Sequence, residues 1–249
     1  MNVLILAAGY ATRLYPLTLN KAKPLLVVGG KPIVEWLVDN LAGIPDLETI
    51  YVVTNDKFAA GFRTWSHGYQ KRHPNLKFKV VNDGSTSDND KLGAIGDINF
   101  VVTHEKLSET GLLVAAGDNL FTNSLADFVA HARNTEVTVA VYDVGNPEAI
   151  KKYGNVTVNN EGIITRFEEK PQNPHGTLAA IALYYYSPAV LSLLRTYLAA
   201  GNNADQPGRF VQWLYTRKPV KTFQIRGQWL DIGSKETLEN ADRILASAR

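Results

Sequence analysis

An α/β fold, with a mostly parallel sheet between two layers of helices, is predicted by three features of the 249-residue sequence. Short runs of β-branched or apolar residues alternate with helix-period segments through the first half, the pattern of βαβ units. Those runs, such as Val3-Leu4-Ile5-Leu6 and Leu112-Leu113-Val114-Ala115-Ala116, are apolar at consecutive positions, as strands buried on both faces are. The second half changes to a hairpin pattern, a strand at 154–158, a turn at 159–162 and a strand at 163–168, which adds a small antiparallel subregion.

Taken in order, strands are expected at 2–7, 49–53, 78–81, 112–116 and 137–142. Pro32 suits the first turn of a helix reaching Leu41, in which Ile33, Trp36, Leu37, Asn40 and Leu41 share a face. Further helices are expected at 59–71, 95–105 and 125–134. Beyond the hairpin come a strand at 178–186, helices at 188–198 and 209–217, short strands at 221–225 and 228–230, and a closing helix at 234–247. Ser234 is its expected N-cap, with Thr237 where a capping box usually has Glu. The polar, Gly-containing stretch 83–91 is the candidate mobile loop.

Hydrophobic residues make up 45% of the chain and charged residues 20%, ordinary values for a folded domain, and 249 residues suit a single domain. A net charge of +2 carries no electrostatic footprint for nucleic acid. The absence of cysteine excludes disulfides, thiolate catalysis and cysteine-held metals. The apolar run at the start follows no basic region and stops well short of the roughly 20 residues of a bilayer span, so a cytoplasmic protein without membrane contact is expected. Asn155-Val156-Thr157 fits a glycosylation sequon but is expected to belong to a strand.

The first strand empties into Ala7-Ala8-Gly9-Tyr10-Ala11-Thr12-Arg13-Leu14, with Lys21 and Lys23 close behind. Small residues let backbone N–H groups approach phosphate oxygens, and the cations neutralise charge, so the segment reads as a polyphosphate site. In an open parallel sheet ligands gather at the carboxyl ends of the strands, which brings the Gly9 loop, Thr54-Asn55, Asn82 and Gly117-Asp118 to one edge. Asp118, exposed after an apolar strand, suits Mg²⁺, which binds through one or two carboxylates plus substrate phosphates. His67, His73, His104, His131 and His175 lack zinc-site spacing and receive no role.

The run Leu6-Ala7-Ala8-Gly9, then Thr12-Arg13-Leu14, Pro16 and Thr18, then Lys23-Pro24-Leu25-Leu26 resembles the signature of nucleotidyltransferases that join a nucleoside triphosphate to a sugar 1-phosphate. The resemblance implies a Rossmann-like α/β fold, with a nucleotide-binding half at 1–143 and a sugar-binding, closing half at 144–249. It also implies nucleotide contacts from Leu6, Ala7, Ala8, Gly9, Arg13, Lys23, Asn82, Gly93 and Asp118, with Arg13, Lys23 and Asp118 catalytic. Asp231, in Trp229-Leu230-Asp231-Ile232-Gly233, resembles the family's second metal carboxylate, so Mg²⁺ is the implied cofactor on Asp118 and Asp231. Tyr153, Gly154, Glu169 and Lys170 match its sugar-phosphate segment: the Glu holds hydroxyls and the Lys meets the phosphate.

Many thymidylyl- and uridylyltransferases of the family have Gln where this chain has Asn82, and glucose-1-phosphate thymidylyltransferases tend to have Gln where it has Pro24, so base and sugar stay open. Tyr184-Tyr185-Tyr186 fits either the wall of a sugar pocket or plain core. The implied partners are an NTP and a sugar 1-phosphate, with dTTP or UTP and glucose 1-phosphate favoured, and a homo-oligomer is compatible with the second half. Two other readings share the Gly9 loop: a cytidylyltransferase for a non-sugar phosphate such as phosphocholine or a phosphonate, and a catalytically silent nucleotide-sugar-binding regulatory subunit.

Overall fold

The computed structural model describes residues 1–246. Its elements are β1 (Asn2–Leu6), β2 (Val27–Val28), β3 (Lys31–Pro32), α1 (Ile33–Leu41), β4 (Ile50–Thr54), α2 (Asp56–Arg72), β5 (Phe78–Asn82) and α3 (Ala94–His104). There follow β6 (Leu112–Ala116), β7 (Asn119–Phe121), α4 (Ala126–Ala132), β8 (Val137–Asp143), α5 (Pro147–Ile150), β9 (Gly154–Val158) and β10 (Ile164–Glu169). The chain continues with β11 (Leu178–Tyr186), α6 (Pro188–Leu191), α7 (Leu193–Ala199), α8 (Pro207–Leu214), β12 (Lys221–Gln224), β13 (Trp229–Asp231) and α9 (Lys235–Ala246). Two compact units share these elements: 1–92, 115–126 and the chain from 227 onward form the first, and 93–114 and 127–226 the second.

In the first unit β1, β4 and β5 pair in parallel, Val3 beside Ile50 and Ile50 beside Phe78. The end of β6 neighbours β1, with Gly117 N–H donating to Leu6 O at 2.9 Å. β1 and β4 are buried almost throughout, which is why their sequences are continuously apolar rather than alternating. Two small antiparallel pairs, β2 with β3 and β7 with β13, complete this unit. α9 closes over them: Ala241 and Leu245 pack with Leu14, Val28, Ile33, Leu120 and Ile232. Each fully buried Leu or Ile of this cluster contributes about 1.5–3 kcal/mol. The Ser234 cap forms as a reciprocal pair, Thr237 N–H donating to Ser234 Oγ at 3.2 Å and Ser234 N–H to Thr237 Oγ1 at 3.0 Å.

The second unit is built on β11, which pairs antiparallel with β8 along its length and with β9 at its start. β10 extends the β9 edge as a hairpin, and β12 joins the other edge parallel to β8. Asn155 lies fully buried on β9, its Nδ2 donating to Leu178 O at 3.2 Å, so the sequon is strand interior. Tyr184 and Tyr186 are buried and stacked on each other, and Tyr186 meets Phe210 edge to face, an arrangement of core packing.

Several expected boundaries shift for local reasons. Pro32 pairs in β3 with an extended ψ of 143° and stands as the residue before α1 rather than in its first turn. The helix expected at 188–198 is interrupted at Ser192, whose hydroxyl donates to Ala189 O at 2.7 Å and separates α6 from α7. α8 begins at Pro207, a residue suited to a first helical position. The expected end of the last helix at Ser247 lies outside the described residues.

The stretch expected to be mobile is cross-braced by side chains. Asp90 accepts from the N–H groups of Thr86 and Ser87 and from both hydroxyls, and Ser85 N–H and Oγ donate to Asp83 at 2.7 Å. These donors, the backbone N–H of Thr86 first, hold the Asp90 carboxyl well below the usual carboxylate range. A depressed folded pKa means that the brace is complete above the ordinary Asp pKa and is lost as pH falls through the folded value. Asp90→Ala is therefore expected to speed amide exchange at Thr86 and Ser87 at neutral pH, and unchanged rates there would show that the brace does not order the loop.

Candidate active site

Strand β1 delivers Leu6, Ala7, Ala8 and Gly9 to the carboxyl edge of the first unit. Ala7 N–H donates to Val53 O at 2.9 Å, and Asn55 Nδ2 donates to Ala8 O at 2.8 Å while its Oδ1 caps α2 through Phe58 N–H at 3.1 Å. One buried Asn thus ties the loop to the helix start. The loop then turns through Ala11 at φ 49°, held by Thr18 Oγ1 donating to Ala11 O at 2.8 Å. A Cβ placed on Gly9 would meet nothing within 4 Å, so this backbone is open to a ligand. Arg13 stands exposed in the 3-10 turn Thr12–Leu14 and has no ion-pair partner among the described residues.

Lys23 opens the second 3-10 turn, Lys23–Leu25, and its Nζ donates to Ile232 O at 2.9 Å and pairs with Asp118. Asp118 Oδ1 also accepts from Asn119 Nδ2 at 3.0 Å, and Asn119 Oδ1 in turn accepts from Trp229 Nε1. Asn119 lies opposite Asp231 in the β7–β13 pairing, and Ile232 N–H donates to Asp118 O at 3.2 Å. Asp118, in the turn just before β7, and Asp231, at the end of β13, are therefore brought together by the β7–β13 pairing, with Lys23 bridging the first to the backbone beside the second. Gly117 permits this: a Cβ there would press at 3.1 Å on Ile5 and on Pro24. Pro24 is buried in that contact, so packing gives the residue a structural use.

Among the described residues no group of three or more His, Cys, Asp or Glu converges to form a metal cage. Two carboxylates such as those of Asp118 and Asp231 are the kind of donor set that suits Mg²⁺, which takes its remaining ligands from water and phosphate.

Asn82, at the end of β5, has both polar atoms engaged: Oδ1 accepts from Gly84 N–H at 3.0 Å and Nδ2 donates to Asp56 at 2.8 Å. Reading a base with this amide requires exchanging one of those bonds. Gly93, in the second unit, precedes α3 at φ 77° and ψ 160°.

Tyr153, Gly154, Glu169 and Lys170, which the resemblance assigns to the sugar phosphate, come together at the β9–β10 edge of the second unit. Lys170 N–H donates to Tyr153 O at 2.9 Å, and Gly154 pairs with Glu169 in register. A Cβ on Gly154 would stand 3.1 Å from Glu169 Oε2, and one on Gly208 would stand 2.8 Å from Glu169 Cδ. Two glycines thus make room for one carboxylate, and Gln212 Oε1 accepts from Glu169 N–H at 2.9 Å. Lys170 projects from a left-handed backbone at φ 50°, exposed and without an ion-pair partner among the described residues. Gly208 and Gln212 were not anticipated from sequence; the only signal was a glycine in the first turn of a helix, where a close approach is easily accommodated.

Burial pushes the Glu169 carboxyl up, partly offset by Lys170 and Arg209. A raised folded pKa contributes stability that is fully present below the ordinary Glu pKa and is lost as pH rises through the folded value. Wild-type melting temperature is expected to fall across that acid-side window, and Glu169→Gln to flatten the fall. An unchanged slope in the variant would remove Glu169 as its source.

A sequence model of the family described as nucleotidyl transferase matches residues 2–248. The chain belongs to that family. Among curated relatives, the bifunctional protein GlmU of Methanocaldococcus jannaschii is 27% identical over 98% of this chain and 54% of its own length. The chain spans about half the length of the first curated relatives it matches. UTP--glucose-1-phosphate uridylyltransferase AglF of Haloferax volcanii is 27% identical over 98% of this chain and 96% of its own. In fold, a UDP-glucose pyrophosphorylase solved with UDP-glucose superposes with a TM-score of 0.81 at 22% identity, over 100% of this chain and 99% of that one. The mostly parallel sheet with helices and small antiparallel additions is thus a fold that the chain shares with that structure. Among the described residues no helix is long and apolar enough to cross a membrane.

Proposed function

We propose that the protein transfers a nucleotidyl group from an NTP to a sugar 1-phosphate, giving an NDP-sugar and pyrophosphate, with dTTP or UTP and glucose 1-phosphate as the favoured pair. The observation that carries the sugar part is the Glu169 carboxylate cradled by Gly154 and Gly208 beside the exposed Lys170. A carboxylate so placed accepts hydrogen bonds from sugar hydroxyls, and the ammonium meets a phosphate. For the nucleotide part, the open Gly9 backbone and the exposed Arg13 bind the triphosphate.

A phosphate oxygen of the sugar 1-phosphate attacks the α-phosphorus in line. The bond from that phosphorus to the bridging oxygen of the β-phosphate breaks, and pyrophosphate leaves. The nucleophile is already an anion, so no general base is needed; the work is to position two polyanions and neutralise charge. Lys23 exchanges Asp118 for the α-phosphate, Arg13 neutralises the triphosphate and departing pyrophosphate, and Lys170 holds the incoming phosphate. Mg²⁺, when bound, would be held by Asp118 and Asp231 and would supply charge neutralisation for the phosphates. This reading puts the protein in the cytoplasm, where nucleoside triphosphates are made.

The test is pyrophosphate release, with Mg²⁺, across dTTP, UTP, CTP, GTP and ATP against hexose 1-phosphates and phosphocholine. Release that requires one triphosphate and one sugar 1-phosphate is expected. Release with phosphocholine alone, or none in protein that binds nucleotide, overturns the reading.

A further inference from the structure

A cavity of about 370 Å³ opens along α2 in the first unit, and none of the site residues assigned above lines it. One wall is the stripe Lys57, Phe58, Gly61 and Trp65, positions that share a helix face; the segment from Asn20 to Leu25 supplies another. No carboxylate is among the lining residues, whereas Lys21 and Lys57 are, both exposed and without an ion pair among the described residues. Two acids close in the fold, Asp56 beside Lys57 and Glu35 bonded to Trp65, have hydrogen-bond partners of their own. Asp56 accepts from Asn82 Nδ2 at 2.8 Å, and Glu35 accepts from Trp65 Nε1 at 3.0 Å and Arg72 at 2.8 Å.

With its only donor used on Glu35, Trp65 offers the cavity apolar ring surface rather than a polar contact. The Lys57 ammonium lies 5.3 Å from the Phe58 ring centroid, so positive charge and aromatic surface are adjacent. Gly61 is unfavourable in the interior of a helix, and a Cβ there would meet only Leu25 Cδ1 at 3.5 Å, an ordinary contact. Packing does not demand glycine at this position.

We propose that this cavity is a second anion site, taking a flat ring that carries a phosphate, of about mononucleotide size. Its volume lies within the roughly 300–1,000 Å³ usual for small-molecule sites. The ring lies against Phe58 and Trp65, and Lys21 and Lys57 take the phosphate. Leu25 and Ala22 flank Lys23, so an occupant bears on the turn that presents that lysine. The proposal does not rest on the reaction proposed above.

Phenyl phosphate and UMP, titrated calorimetrically into the Arg13→Ala protein, distinguish a simple aryl phosphate from a nucleotide source. Binding of at least one of them with a Kd on the order of 1 mM or tighter is expected. Lys57→Glu, a charge reversal at an exposed position, and Gly61→Leu, which fills the cavity, are each expected to weaken that binding by at least about tenfold, with melting curves confirming the fold. Binding that survives both substitutions, no saturation by either probe, or equal affinity for inorganic phosphate overturns the proposal.

Discussion

Gly93→Ala is expected to lower stability by roughly 2–5 kcal/mol, the combined cost of a backbone region open essentially to glycine and of an overpacked contact. At φ 77° and ψ 160° an L side chain is strained whatever the surrounding space. Here the space is also missing, since a Cβ would stand 2.7 Å from Ala204 O and 2.9 Å from Asp205 Cα. Backbone cannot move aside as a side chain can, because Ala204 O is already the acceptor for Ile95 N–H at 2.8 Å, the bond that starts α3. Urea unfolding of the variant checks this, and an unchanged midpoint would mean that the position tolerates a side chain. Gly93, expected from sequence as a nucleotide contact, thus has a packing requirement of its own.

Asp118→Asn is expected to reduce turnover by about 10²–10³, the usual loss when one preorganised charge is removed from a phosphoryl-type transition state. Asparagine keeps the shape and can still accept from Asn119, so melting should stay close to wild type while pyrophosphate release falls. Lys23 loses its ion-pair partner but retains Ile232 O. Because Lys23 and Asp118 are paired in the free protein and both serve to neutralise charge on the same phosphates, Lys23→Ala and Asp118→Asn should combine to less than the sum of their separate effects. Full additivity would mean that the two serve unrelated steps, and near-normal turnover in Asp118→Asn would remove that carboxylate from the mechanism.

What could be read from the chain before its fold was known follows from local rules. β1, β6 and β11 announce themselves because strands buried on both faces must be apolar at every position, and α9 because Ser234 and Thr237 satisfy each other's backbone N–H groups three residues apart. The Gly9 loop with Arg13 reads as a polyphosphate site because phosphate binding calls for small residues and charges within a few positions of one another, whereas the Glu169-Lys170 pair stands out from a charged strand end only through the family resemblance. The tertiary structure alone decided how those pieces are held. Lys23 bonds to a carbonyl 209 residues away, and Asn119 links Asp118 to Trp229 across 110 residues. Glu169 owes its room to Gly208, and the two amide ends of Asn82 are spent on Gly84 and Asp56. A polar side chain's residue type announces that it must find partners when buried, but the choice among many competent partners is made only when packing brings distant backbone and side-chain groups within hydrogen-bond reach.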